Sequence, residues 1–67
     1  MKYWNKDKEV RRKHWFTVSP PKIHQQQEAK RWCQLQPSNG RFYFHFSNTR
    51  WWFEQEADAL MFALRWA

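Results

Sequence analysis

A chain of 67 residues with a net charge of +6 has room for one small domain and no second core. Its single cysteine, Cys33, excludes an intramolecular disulfide, and no apolar run approaches the roughly 18 residues of a membrane span. A reducing, cytoplasmic compartment is expected, with the thin stability margin of so short a chain made up by large side chains and a partner.

The N-terminal end is charged throughout and carries no signal-peptide-like apolar stretch. Residues 1–22 hold seven Lys or Arg (Lys2, Lys6, Lys8, Arg11, Arg12, Lys13 and Lys22) against Asp7 and Glu9, a local net of +5. Residues 1–12 read as a basic arm or edge segment, in which Tyr3 and Trp4 form a short strand or lie against the domain. Residues 13–67 read as the domain itself. Arg11, Arg12 and Lys13 form a basic patch suited to an anionic surface. A solvated, solubilising tail is the plainer reading of the same charges.

Residues 14–18 are aromatic and β-branched and predict a strand. It stops at Ser19-Pro20-Pro21, where Ser19 is placed to cap a helix running from about Pro21 to Leu35. Pro37 closes that helix, and Pro37-Ser38-Asn39-Gly40 predicts a turn. In residues 41–46 strict alternation puts Phe42, Phe44 and Phe46 on one strand face, with Tyr43 and His45 on the other. Ser47-Asn48-Thr49 connects to a second strand over 50–53, making an antiparallel hairpin. A final helix is predicted over 54–66, with Glu54, Glu56 and Asp58 near its start and Arg65 near its end. It carries two apolar stripes. Ala57, Leu60, Met61 and Leu64 are assigned to the sheet, which leaves Ala59, Phe62 and Trp66 outward. The expected fold is α+β: a βαββα domain with a three-stranded, largely antiparallel sheet and two helices on one face.

One core of this size cannot hide all 14 aromatic rings by that assignment. Tyr43, Trp51, Trp52, Phe62 and Trp66 are therefore the candidate partner-binding anchors. The alternative is that these rings simply fill out a thin core. A protein partner is the first reading. Sequence-tolerant binding of single-stranded DNA or RNA by the hairpin and the basic residues is the second. A homodimer is compatible with both. His14, His24, His45 and Cys33 lack metal-ligand spacing, and no phosphate loop, nucleophile elbow or acid–base pair is present. Neither metal, cofactor nor catalysis is expected.

Residues 40–46, GRFYFHF, resemble an aromatic strand of RNA-recognition domains, but the second βαβ half of that fold and its companion motif are missing from the sequence. Over residues 40–66 the chain also resembles the ends of small accessory proteins of tailed bacteriophages. There an aromatic hairpin precedes an acidic-started helix, here Asp58-Ala59 through Phe62, Leu64 and Trp66. What that resemblance implies is a phage-encoded protein in the host cytoplasm that attaches to a host enzyme or to nucleic-acid machinery.

Overall fold

The computed structural model describes residues 1–44 and 50–66 and, for Asp7 and Arg11, the backbone alone. Eight short elements follow one another: β1 (Lys2–Tyr3), α1 (Asp7–Arg12), β2 (Phe16–Val18), a 3-10 turn (Ile23–Gln25), α2 (Gln26–Leu35), β3 (Arg41–Tyr43), β4 (Trp51–Phe53) and α3 (Glu56–Trp66). The class is α+β, as the sequence implies. The sheet has four strands in the order β1-β3-β4-β2, not three. It is mixed, since β1 pairs with β3 in parallel while β2 and β3 each pair with β4 antiparallel.

The extra strand and an unforeseen helix both come from residues 1–12, which are integral to the fold. Met1 and Val10 are buried, and the backbone of Trp4 donates to the Phe42 carbonyl at 2.8 Å. The terminal ammonium of Met1 donates to the carbonyls of Cys33 (2.9 Å) and Gln36 (2.6 Å) at the end of α2. A positive group there satisfies carbonyls that the helix leaves open and opposes the negative end of its dipole. Two residues beyond the end of helix α1, His14 has a φ of 54°. The Trp15 amide reaches back to the Val10 carbonyl at 3.4 Å, the six-to-one bond of a Schellman-type stop. His14 is therefore a left-handed cap and not the first residue of β2.

The start of α2 also comes later than the sequence suggests. Pro21 disfavours helical backbone at Pro20, and Lys22 stays extended at ψ 149°, so the coil tightens into a 3-10 turn only at Ile23. Ser19 caps nothing at this helix start. Gln36, ahead of Pro37, is extended at ψ 139° and ends the helix as expected. At the turn that follows, a Cβ on Gly40 would lie 2.5 Å from an Asp58 carboxylate oxygen, so any side chain there would displace that carboxylate. The same carboxylate accepts from the Ser38 hydroxyl at 2.7 Å, which ties the turn to the first turn of α3.

Strand alternation sorts the rings onto two faces. Phe42, Phe44, Trp51 and Phe53 pack with Met1, Ala29 and Cys33 on one side, under Ala59 and Phe62 of α3. Both long helices thus lie on one face, as predicted. The second face is covered as well: Val10 and Trp15 lie over Tyr43, with Tyr3, Trp4 and Trp52 around them. His45 and Phe46, expected to continue β3, lie outside the described residues. No helix among the described residues is long and apolar enough to cross a membrane.

Candidate protein-docking surface

The core face of α3 is the reverse of the one its leucines suggest. Phe62 is fully buried, with ring centroids 4.8 Å from Trp51 and 4.9 Å from Phe53, and Ala59 lets the helix approach the sheet closely. Phe44 stacks on Trp51 at 4.1 Å, so the interior is a ladder of aromatic rings. A flat aromatic floor favours the face that offers another ring, because stacked and edge-on pairs add about 0.5–1.5 kcal/mol beyond area burial. Asp58, buried on that same side and held by Ser38, fixes the choice.

The other stripe then points to solvent. Leu60 is 60% exposed and Leu64 88%, with Met61 and Ala57 also exposed. These four residues span about 100° of the helix circumference at positions i, i+3, i+4 and i+7, the anchor spacing of a helix that docks in a groove. Each large side chain left in water forgoes about 1.5–3 kcal/mol of burial. They are grouped on one face rather than scattered, so the helix presents a contiguous apolar patch to solvent.

Around the helix from Met61 comes Arg65, and beyond it a shallow cleft between α2 and α3. Glu28, Arg31, Trp32, Leu35, Arg65 and Trp66 line this cleft of about 200 Å³. Leu35 is 74% exposed at its edge. Trp32 meets Trp66 edge-on at 6.4 Å and Phe62 at 6.2 Å, and the Arg65 guanidinium lies 4.4 Å from the Trp66 ring centre. The space is below the roughly 300–1,000 Å³ of small-molecule pockets, and its scale suits a single side chain.

Of the anchors expected from sequence, Trp66 alone lies at this surface, half-buried. Tyr43, Trp51 and Phe62 belong to the core, which corrects their assignment as exposed contacts. Trp52 is half-buried on the face that α1 covers. The rings that seemed surplus were counted against one sheet face, whereas the fold uses two. The basic residues lie on α1 and directly after it, across the sheet from α3. Arg12 is exposed there, Lys13 pairs with Glu9 at 3.0 Å, and the side chain of Arg11 lies outside the described set. A hollow of about 650 Å³ runs along the same helix past Lys6, Lys8, Glu9 and Arg12.

A cluster that the sequence reading did not single out joins the two halves. The Arg41 guanidinium pairs with Glu54 through two nitrogens and lies 4.3 Å from the Trp4 ring centre and 5.3 Å from that of Trp15. Trp4 in turn donates to Glu9 at 3.3 Å. Hydrogen bonding from Arg41 holds the Glu54 carboxyl below its usual range despite partial burial, and that from Lys13 does the same for Glu9. The alternation of Arg41 with Tyr43 on one strand face was the available signal. Burial pushes the Cys33 thiol up to about 12, which fits a small core residue and not a nucleophile. Among the described residues no group of His, Cys, Asp or Glu is arranged to hold a metal ion. No protein family, curated protein or solved structure matches this chain.

Proposed function

We propose that this chain is a small non-catalytic accessory protein, of the type tailed phages encode, which binds and modulates another protein in the host cytoplasm. The observation that supports this reading is the solvent-facing apolar stripe of Ala57, Leu60, Met61 and Leu64 on a helix whose opposite face already fills the core. The contact surface differs from the one the sequence suggested, but the class of function is the same. Basic residues on α1 contribute to the net charge of +6 and would speed association with an acidic partner without touching it.

Nucleic-acid binding by stacking is the weaker reading. It needs Tyr43, Trp51 and Trp52 free to meet bases, and two of these are buried while the third is half-buried under the α1 side.

Capture from host lysate on immobilised protein, run beside the Leu60→Ser/Leu64→Ser variant, tests the proposal. A protein retained by the natural chain and lost with the variant, at unchanged circular dichroism, is the expected result. Retention of the same proteins by both would remove the α3 surface from consideration.

A further inference from the structure

We propose that the partner segment seated on α3 is an acidic amphipathic helix. One of its apolar side chains enters the α2–α3 cleft, and its carboxylates meet Arg31 and Arg65. This inference rests on the reading of α3 as a docking face and adds the chemistry of the occupant.

Three observations lead to it. The first is continuity. Arg65 follows Met61 by about 40° around the helix, so the apolar stripe, Arg65 and the cleft form one surface. A helix laid along the stripe from Ala57 to Leu64 covers about 10 Å of rise and passes the mouth of the cleft. The second is the shape of the cleft, where Trp32, Leu35 and Trp66 present apolar walls at the scale of one side chain. An anchor side chain of a partner would become buried between these walls on docking.

The third is charge. The ion pairs among the described residues are Lys13–Glu9 and Arg41–Glu54, so neither Arg31 nor Arg65 is paired. Glu28 shares the cleft without coming within ion-pair distance of either. Both arginines are exposed at the cleft, and Arg65 is oriented by its contact with Trp66. Planar guanidinium groups favour carboxylates, which they can bind through two parallel hydrogen bonds. A basic segment would meet these two arginines and an overall charge of +6.

The test uses the full chain and two designed, labelled peptides of about 18 residues, long enough to form a helix on a surface. Both carry Leu at i, i+3, i+4 and i+7; one has Glu at its polar positions and the other Lys. Binding is read by fluorescence anisotropy. The acidic peptide should bind at least ~10-fold more tightly than the basic one. Arg31→Glu/Arg65→Glu should weaken the acidic peptide by ~10-fold or more, while Lys6→Glu/Lys8→Glu, an equal change of net charge across the sheet, should cost less than ~3-fold. Equal losses in the two charge variants would reduce the preference to net charge and overturn the proposal. So would equal binding of the two peptides.

Leu60→Ser/Leu64→Ser separates this failure from that of the underlying reading. If both peptides bind alike and both are lost in that variant, the α3 face stands and the acidic partner falls. If the variant leaves peptide binding unchanged, the docking face falls as well. Sedimentation showing a dimer that Leu60→Ser/Leu64→Ser dissociates would place a second copy on the stripe and also overturn the proposal.

Discussion

Arg41 shows how single residues hold together a chain with so little interior. Its guanidinium serves the Glu54 carboxylate and the rings of Trp4 and Trp15 at once, so the N-terminal segment is fastened to the hairpin by one planar cation. The bonded carboxylates set an acid limit. Glu54 and Glu9 both have folded-state pKa values held below the ordinary carboxyl range. Such groups stabilise the fold fully above their unfolded-state pKa, and that contribution is lost as pH falls through the folded-state value. Urea midpoints should therefore hold steady through neutral pH and decline below about pH 4.5, with Glu54→Gln giving a shallower decline. A decline as steep in Glu54→Gln as in the natural chain would assign the acid sensitivity to other groups. His14 offers a test in the opposite direction. Its left-handed φ of 54° strains a residue with a Cβ, and the side chain is exposed. His14→Gly should raise unfolding free energy by about 1 kcal/mol, measured by chemical denaturation.

At the scale of elements, α3 carries two apolar faces of similar length, and the energetic difference between them is large. Phe62→Ala should cost about 3–5 kcal/mol, because it removes a ring from the stacked ladder. Leu60→Ser/Leu64→Ser should change stability by less than about 1 kcal/mol, because those side chains already stand in water. Comparable losses in the two variants would mean that the outer stripe is covered in the folded chain. The sequence held both stripes in plain view but not their ranking. Counting leucines and methionine favours 57, 60, 61 and 64, whereas the aromatic floor and the Ser38–Asp58 bond favour the other side. The hairpin, α2 and the end of α2 before Pro37 were legible because alternation, helix formers and proline stereochemistry act locally. Helix α1 was not. Six residues with Val10 as their one apolar member show no period, and the segment is helical because Val10 finds Trp15 and Tyr43. β1, two residues long, is likewise a strand only because β3 lies beside it.

Across the whole molecule, the sheet works as a partition. One face receives α2, α3 and the aromatic ladder; the other receives α1, Trp15 and the Arg41 cluster. That arrangement explains why most of the described rings are buried or half-buried, and why the large side chains exposed on α3 are aliphatic. It also separates the two features a partner would sense. On the proposed function, the basic residues of α1 would act at a distance, while Leu60, Met61 and Leu64 would make contact. Screening by salt should accordingly slow association more than it speeds dissociation.

The most direct test of the docking face is site-specific photocrosslinking in the cell that makes the protein, with the photoreactive residue at position 60 or at position 8. Position 60 lies in the outer stripe of α3, and position 8 lies on α1 across the sheet. The account predicts a discrete protein adduct from position 60 and none from position 8. An adduct formed from position 8 alone, or equally from both, would contradict it.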